Sequence, residues 1–526
     1  MILDRFLLRY KAPLLLLTCG CLIAAHALYL GFNSWDGLSY RIPPVIELVQ
    51  HGDFGGWKFD YAPATHFYPF FELLHVPFLK LFGLAGLYFS FSLTLLPLSV
   101  ISVYLFVREL TGDGRWATYA GLTFIAIPFV NTQPFSGYID FAVIGALAFF
   151  LYAALHALRA ERMTFKTSTA LSAATFLFSM SRQHAPYMAL AIMGALALWH
   201  LLPWNEARAD GRRVGVLKVS NVMLAFAVGL LPAALLHWHR YLEFGSPIYP
   251  YQFDAFGIKT AVGLSRQDTA RFAGLESSTW RGLVEGFRRG WMMPREWPLN
   301  FYDSRSLGVG LLFWLGLILA SFLDECLRRD TGFLLVLFLA IAIALQDFWL
   351  PRWSMTLILA MVVVISGAIA RFASHGPKWL APILTLVVLA HLGRPMYDAY
   401  SMVAKGQWYI RANLAESAKF IPAEVAPGVV NIYPDLDDDF VIVRPIENGF
   451  MLPLYGRWLT NRIVGVLDDP MPDAQCAVHP LGAYEAGNPI IDQRSLLARA
   501  APQCIWVCAY EDHGLCLAGS LVVPGS

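Results

Sequence analysis

Two aspartates stand at the ends of apolar stretches, where a carboxylate can act chemically at a membrane surface. Asp36 directly follows the first long apolar stretch, and Asp140 directly precedes a later one. A carboxylate at such a boundary can accept a proton from a hydroxyl group or coordinate a cation. The alternative for each is an N-cap, since aspartate accepts hydrogen bonds from the first N–H groups of a helix. No cofactor is identifiable from the sequence; if a divalent cation takes part, Asp36 and Asp140 are its candidate ligands.

Basic side chains near similar boundaries suit an anionic ligand. Arg182 and His184 lie between two short apolar stretches, and Arg352 lies between two others. An arginine at the edge of the hydrocarbon is costly unless it is paired, and its planar guanidinium matches phosphate. The alternative for Arg352 is an ion pair with Asp347 or a side chain that extends to lipid headgroups. Arg182, His184 and Arg352 are therefore candidate phosphate ligands.

Two polar segments rich in aromatic residues, 33–83 and 237–305, hold the remaining candidates. Residues 67–82 within the first segment have the pattern of an amphipathic helix that lies in the membrane interface. Aromatic rings, a histidine and a carboxylate in such segments are suited to contact a polar acceptor. These candidate acceptor or loop residues are Tyr40, His66, Glu72 and Tyr249.

Membrane-spanning helices are the elements that must position these residues. The 526-residue chain is 57% hydrophobic and 15% charged, whereas soluble domains carry about 25% charged residues. A helix needs about 20 residues to cross the hydrocarbon. The sequence therefore predicts a polytopic α-helical protein in a lipid bilayer, with about eleven spans. The apolar stretches are 12–32, 84–107, 116–135, 141–158, 167–181, 185–203, 219–236, 306–323, 331–346, 353–370 and 379–393.

The distribution of Lys and Arg predicts the orientation of these spans. If the N-terminus is cytoplasmic, the inner segments carry about three times as many Lys and Arg residues as the shorter outer segments. An odd number of crossings then places the C-terminus outside. The prediction is a transmembrane domain, 1–393, with outer loops 33–83 and 237–305, followed by an extracytoplasmic domain, 394–526. A net charge of +1 offers no basic field for nucleic acid.

The C-terminal segment has a different pattern from the rest of the chain. Short β-branched or aromatic runs, separated by Pro, Gly and Asp, predict strands, and 412–420 predicts a helix. A small α/β domain is the expected result. The predicted strands are Gly428–Tyr433, Phe440–Val443, Arg462–Leu467, Ile505–Tyr510 and Leu515–Val523.

Four cysteines also cluster in this segment, at Cys476, Cys504, Cys508 and Cys516. Their spacing differs from that of a zinc site built on two Cys-x-x-Cys pairs. Disulfides form in oxidising compartments, so an outer location predicts at least one bridge among these four. Cys504 and Cys508 lie four residues apart on one strand and are poor partners for each other.

Four motifs, in their order along the chain, resemble those of GT-C superfamily membrane glycosyltransferases of a bacterial, uncharacterised branch. In that family an acidic residue follows the first span and another lies in the second outer loop. Asp36 is followed by Gly37 rather than the family's Glu, Ser246 replaces an Asn, and the tail lacks Trp-Trp-Asp. The motifs are Trp35-Asp36-Gly37-Leu38-Ser39-Tyr40-Arg41-Ile42-Pro43, Gly137-Tyr138-Ile139-Asp140, Phe244-Gly245-Ser246-Pro247-Ile248-Tyr249-Pro250 and Leu454-Tyr455-Gly456-Arg457-Trp458-Leu459-Thr460-Asn461-Arg462.

The resemblance implies an inverting sugar transfer at the outer face of a bacterial cytoplasmic membrane. The donor would be a polyprenyl-phosphate sugar, and the acceptor a glycan, a lipid or a protein. Asp36 would be the general base or would orient the acceptor hydroxyl, while Arg352 and Arg182 would hold the leaving phosphate. Asp140 would shape the acceptor side or help to bind a metal. The 237–305 loop would cover the site, and the tail would present the acceptor.

Three other functions remain open from the sequence. One is a polymerase or ligase of surface polysaccharide, which is still a transferase. A second is a transporter or flippase for lipid-linked sugars, and a third is a non-catalytic assembly protein. A transporter is expected to show inverted repeats and ionisable residues near the middle of the bilayer. Here the candidate residues lie at span ends and no repeat is visible, which favours an enzyme.

Overall fold

The structure is a computed structural model of the full chain. It describes residues 41–51, 70–127, 129–130, 133–135, 138–201, 216–249, 252, 254–255, 258–260, 281–282, 284, 329–345, 354–375, 441–444, 462–465, 504–509 and 515–518.

Helices make up most of the described chain, with short 3₁₀ turns at Glu72–His75 and Gln133–Phe135 and a π turn at Phe91–Leu95. The chain forms two compact units. One contains α3 to α10, and the other contains α1, α2 and a C-terminal sheet. The helices are α1 Pro43–His51, α2 Val76–Ser90, α3 Leu96–Thr111, α4 Gly114–Ala126, α5 Asp140–Arg159, α6 Phe165–Ser179, α7 Ala185–Leu201, α8 Val216–Phe244, α9 Arg329–Leu345 and α10 Met355–His375.

Three described segments are long and apolar enough to cross a membrane: Leu93–Thr111, Asp140–Arg159 and Lys218–Phe244. Shorter apolar helices lie at Ala185–Leu201 and Met355–Arg371. These helices give the chain the character of a membrane protein. The predicted stretches 12–32, 306–323 and 379–393 lie outside the described residues, so the predicted number of spans stays a prediction.

One predicted span is shorter than its apolar pattern. Residues 116–135 were expected to form one helix, but α4 ends at Ala126. Ile127 has extended backbone angles, φ −64° and ψ 124°, and it precedes Pro128. Proline disfavours the helical conformation of the residue before it, which explains this end. The chain then reaches the 3₁₀ turn at Gln133 outside the helix.

The segment around Gly83 differs from the expected interface helix and span. Residues 67–82 were predicted as one helix and 84–107 as another. Instead a 3₁₀ turn precedes α2, and α2 is interrupted at Gly83, where φ is 58° and ψ is −148°. Only glycine adopts that backbone region readily. The predicted boundary between the two helices therefore falls at this break.

Helix α8 presents an apolar stripe on one face and polar side chains on another. Its exposed residues recur every three or four positions, which places them on one side of the helix. Such a face is suited to lipid, and the aromatic pair Trp238–Tyr241 near its end matches the aromatic belt of a membrane interface. His237 and Arg240 are buried on the protein side. The exposed residues of the stripe are Leu224, Val228, Leu231, Leu235, Trp238 and Leu242.

Glycines allow close approach of neighbouring helices in the first unit. A Cβ added at Gly145 in α5 would lie 2.5 Å from the Cα of Ser99 in α3. A Cβ at Gly229 in α8 would lie 2.3 Å from the carbonyl oxygen of Ser172 in α6. Small residues at helix interfaces let membrane helices pack by van der Waals contact. These glycines therefore allow α5 to pack closely on α3, and α8 to pack closely on α6.

The C-terminal strands form one mixed sheet with the order β4-β3-β5-β6. The β3–β4 and β3–β5 pairs are parallel, and the β5–β6 pair is antiparallel. These strands overlap four of the five predicted runs; the fifth, Gly428–Tyr433, and the predicted helix 412–420 lie outside the described residues. The strands are β3 Val441–Arg444, β4 Arg462–Gly465, β5 Cys504–Ala509 and β6 Leu515–Ala518, after a short hairpin of β1 Asp254–Ala255 and β2 Ile258–Lys259.

Gly145→Ala and Gly194→Ala should change stability in opposite directions. Gly145→Ala introduces an overlap with Ser99 that should lower the free energy of unfolding by about 1–3 kcal/mol. Nothing lies within 4 Å of a Cβ at Gly194 in α7. The same substitution there should raise helix stability by roughly 0.5–1 kcal/mol. Thermal unfolding of the two purified variants in one detergent measures this; equal shifts would contradict the helix packing described above.

Cys508 lies directly opposite Cys516 in the β5–β6 register. Cross-strand neighbours have Cα separations of about 4.5–5.5 Å, which a disulfide can span. If the tail is extracytoplasmic, we expect Cys508–Cys516 to be the bridge. Mass spectrometry of the unreduced protein should show these two peptides linked, and Cys508→Ser should free Cys516 for thiol labelling. Four reactive thiols among Cys476, Cys504, Cys508 and Cys516 in the unreduced protein would contradict the prediction.

Candidate functional site

Asp140 is the first residue of α5, but its carboxylate does not cap that helix. The N-cap position is Ile139, which has no side-chain capping bond. The backbone N–H of Phe141 instead donates to Oε1 of Gln133 at 2.8 Å. By contrast, Asp113 is a capping aspartate, since it accepts from the backbone N–H of Arg115 at 2.7 Å. The capping alternative is therefore wrong for Asp140, whereas Asp113 shows what a capping aspartate looks like in this chain.

The carboxylate of Asp140 forms a buried ion pair with Arg182. Asp140 is 1% exposed and Arg182 is 14% exposed, and Oδ1 of Asp140 meets a terminal nitrogen of the guanidinium. Oδ2 accepts a hydrogen bond from Nε2 of Gln133 at 2.8 Å. A buried carboxylate is tolerated only when it is paired and hydrogen-bonded. The three side chains Gln133, Asp140 and Arg182 form one unit, hereafter the Asp140 cluster.

Arg182 lies in the turn between α6 and α7, where the sequence placed it. The turn is closed by a hydrogen bond from the N–H of Ala185 to the carbonyl oxygen of Arg182 at 3.1 Å. The predicted spans 167–181 and 185–203 correspond to α6 and α7. The short connection leaves Arg182 at the end of both helices, beside the start of α5.

His184, in the same turn, is a neutral histidine. Burial, and after it the adjacent Arg182 guanidinium, lower the pKa of His184 to about 3. Its Nε2 atom is buried and has no hydrogen-bond partner among the described residues. As a phosphate ligand, His184 would therefore supply a hydrogen bond rather than a positive charge.

The turn is also tied to the end of α8 through the backbone of Tyr249. Gln183 and Arg240 both donate to the carbonyl oxygen of Tyr249, at 3.4 Å and 2.6 Å. The ring of Tyr249 stacks on Phe244, with centroids 4.5 Å apart. Gly245 ends α8 with φ 72°, a conformation that permits this reversal. The described contacts of Tyr249 are thus those of a structural anchor for this turn.

This anchor places the Asp140 cluster near the exposed aromatic residues at the end of α8. Arg240 lies on the buried face of α8, two residues after Trp238, which is 59% exposed, and one before Tyr241, which is 49% exposed. Exposed Trp and Tyr residues mark the interface between hydrocarbon and headgroups. Because Gln183 shares the Tyr249 oxygen with Arg240, Arg182 lies near the same level.

A second buried polar cluster lies in the other unit. Glu72 forms an ion pair with Arg41 at 3.2 Å, and both side chains are buried. His75, on the same 3₁₀ turn, has Nδ1 at 2.6 Å from Oγ of Ser90 and stacks on Phe91. Burial lowers the pKa of His75 to about 3, so it is neutral. Glu72, a candidate acceptor residue, is thus held by Arg41, which belongs to the Asp36 motif.

The remaining candidates lie outside the described residues: Asp36, Tyr40, His66 and Arg352. Neither Gln133 nor the role of Arg41 is predictable from the sequence alone. Gln133 lies between Thr132 and Pro134 without a distinguishing pattern, and Arg41 is separated from Glu72 by 31 positions. Such long-range pairs leave no local signal in one sequence.

Chemically, the Asp140 cluster is a fixed, charge-neutral arrangement that presents an arginine. Its carboxylate oxygens face an arginine nitrogen and an amide N–H, which repel a cation, so the residues present do not fit a metal at Asp140. The described residues include no group of three or more His, Cys, Asp or Glu side chains suited to a metal ion. The cluster is better suited to orient a guanidinium toward an anion.

No protein-family model matches the sequence, and no curated protein matches it.

Solved structures of two membrane enzymes are similar to the chain. Apo ArnT from Cupriavidus metallidurans has 13% identity and a TM-score of 0.49, over 86% of this chain and 85% of that one. ArnT bound to undecaprenyl phosphate has 13% identity and a TM-score of 0.48, over 87% and 86%. The Archaeoglobus fulgidus oligosaccharyltransferase AglB, with an inhibitory peptide and a dolichol-phosphate, has 15% identity and a TM-score of 0.45, over 87% and 64%.

Both proteins are GT-C glycosyltransferases, the superfamily that the sequence motifs resemble. At these identities and TM-scores, the likeness assigns neither a substrate nor a reaction to this chain.

Proposed function

We propose that this protein is a membrane glycosyltransferase that transfers a sugar from a polyprenyl-phosphate donor to a glycan, lipid or protein acceptor. The observation that carries the proposal is the buried Asp140–Arg182 pair, in a turn that Tyr249 ties to the end of α8 near Trp238 and Tyr241. A buried ion pair adds little net stability, because the cost of desolvating both charges offsets much of their attraction. Its place at the end of the helices, together with the four ordered motifs, favours a role in binding a lipid phosphate.

Transfer would proceed by displacement at the anomeric carbon of the donor sugar. The acceptor hydroxyl oxygen attacks that carbon while the bond from the carbon to the phosphate oxygen breaks. The electron pair of that bond goes to the phosphate oxygen, and the acceptor proton goes to the Asp36 carboxylate. Attack from the side opposite the phosphate inverts the configuration of the anomeric carbon. The products are the glycosylated acceptor and the polyprenyl phosphate.

Arg182 would stabilise the negative charge that develops on the leaving phosphate, with Arg352 as its partner. Fixed donors aimed at developing charge are effective because they need no reorganisation during the reaction. The Asp140 cluster supports this role because its contacts hold the guanidinium in one orientation. Neutral His184 would add a hydrogen bond on the same turn. No step requires a metal.

The proposed location is the outer face of a bacterial cytoplasmic membrane, with an inner N-terminus and an outer C-terminus. The segments predicted to be cytoplasmic carry more Lys and Arg than the shorter outer segments, which supports this orientation. The 237–305 loop would cover the site, since the segment after α8 is anchored to the Arg182 turn through Tyr249. The C-terminal sheet would belong to an outer α/β domain that presents the acceptor.

Substitutions of the two aspartates and Arg182 test the proposal on the purified full-length protein. The assay incubates it with a panel of polyprenyl-phosphate sugars together with glycan, lipid and protein acceptors, and measures released polyprenyl phosphate. Asp36→Asn should lower kcat by roughly 10²–10⁴-fold, as expected for loss of a general base. Asp140→Asn should reduce activity by a smaller factor, because it removes the counter-charge of Arg182. Arg182→Lys keeps the charge but loses the planar fork, so it should mainly raise KM for the donor.

Asp113→Asn is the matched control for these variants. Asp113 caps α4 through its side chain, and asparagine caps a helix about as well. Its activity should equal that of the unmodified protein. Full activity of Asp36→Asn and Asp140→Asn in well-folded protein would contradict the mechanism. Absence of phosphate release with every donor in the panel would contradict the proposed reaction.

A further inference from the structure

We infer that Gln133 is a positioning residue, which fixes the Asp140 carboxylate so that Asp140 in turn fixes Arg182. The inference rests on the proposed function, since it concerns the side chains that hold Arg182, the arginine that would bind phosphate. In this arrangement Asp140 acts through Arg182 and does not itself touch the substrate. Gln133 therefore belongs to the site although it carries no charge.

The orientation of the Gln133 amide follows from its two hydrogen bonds. Its Oε1 accepts from the backbone N–H of Phe141 at 2.8 Å, so this end must be the oxygen. The other end is then the NH₂ group, which donates to Oδ2 of Asp140 at 2.8 Å. The side chain is 0% exposed, which leaves water no access to replace either bond. Gln133 thus contacts the first turn of α5 through its amide oxygen and the Asp140 carboxylate through its NH₂ group.

The two carboxylate oxygens of Asp140 have different partners. Oδ2 is held by the neutral amide, and Oδ1 is held by the Arg182 guanidinium. A carboxylate with one oxygen fixed cannot rotate without breaking a buried hydrogen bond, which is costly. The direction of Oδ1, and with it the position of the guanidinium, is therefore set by Gln133.

The location of Gln133 in the chain also distinguishes its positioning role from helix capping. Gln133 lies seven residues before Asp140, on a 3₁₀ turn that exists because α4 ends before Pro128. A cap of α5 would need only the Oε1 acceptor. The donor directed at Asp140 has no capping purpose. The two functions of the amide can be separated by one substitution.

The Gln133→Glu substitution separates the acceptor function of this side chain from its donor function. The glutamate keeps an acceptor for the Phe141 N–H, but when ionised it places a second carboxylate beside Asp140 and lacks the donor. Like charges raise the pKa of such a carboxyl. When protonated, the glutamate again donates to Asp140. The other charged or titratable described groups at the cluster are Arg182 and, beside it, His184.

The experiment measures polyprenyl-phosphate release and Tm of the purified full-length protein from about pH 5.5 to 8.5, around the raised carboxyl pKa. We expect Gln133→Glu to lose roughly ten- to hundredfold in activity at the upper end, with recovery relative to the unmodified protein at the lower end. Its Tm should fall as pH rises, because a carboxyl with a raised pKa in the folded state stabilises that state only while protonated. Asn221→Asp, at an exposed position near the start of α8, is the control for added charge and should show neither effect.

Asp140→Asn in the Gln133→Glu background should abolish the pH dependence of Tm, since only one carboxylate remains. If Gln133→Glu alone does not fold, restored folding of the double variant supports the coupling, and failure of both overturns it. Unmodified activity of Gln133→Glu with a flat Tm profile also overturns the inference. Because Tm is independent of catalysis, a protein that releases no phosphate from any donor would refute the proposed function while the Tm comparison still tests Gln133.

Discussion

The ion pair between Asp140 and Arg182 is the constraint on which this part of the protein depends. A carboxylate with 1% exposure must keep its partner, because an uncompensated buried charge is far more costly than the pair itself. The first turn of α5 and the turn between α6 and α7 must therefore stay together. The close approach at Gly145 and Ser99 brings α3 against α5 without a side chain between them. Packing of small residues and pairing of two charges thus support the same arrangement of helices.

The early end of α4 has a direct consequence for this pair. Because Pro128 stops the helix, the chain can turn at Gln133 and return its amide to the start of α5. That amide satisfies a backbone N–H that Ile139 leaves uncapped, and it also fixes the carboxylate. In the same turn as Arg182, Gln183 shares the Tyr249 carbonyl with Arg240. The turn that carries Arg182 is therefore held both by the pair with Asp140 and by the contact with the end of α8.

The hydrophobic pattern predicted helices correctly where an apolar stretch ended at a charged or polar residue. The apolar stretch 141–158 became α5, Asp140–Arg159, and the basic turn at Arg182 lies between two helices as expected. The absence of charge did not predict the end of α4, because residues 117–135 are uncharged on both sides of the proline. The hydrophobic pattern also could not decide between a cap and an ion pair for Asp140. That choice depends on Gln133 and Arg182, which lie seven and 42 residues away and meet it only after folding.

A cryo-EM structure of the full-length protein with undecaprenyl phosphate, the lipid bound in one similar solved structure, tests the central claim most directly. The measured quantity is the distance from the phosphate oxygens to the Arg182 guanidinium. The account predicts a hydrogen-bond distance, about 2.7–2.9 Å, with the Asp140–Arg182 pair still formed. A phosphate bound elsewhere, with Arg182 covered by protein, would contradict it.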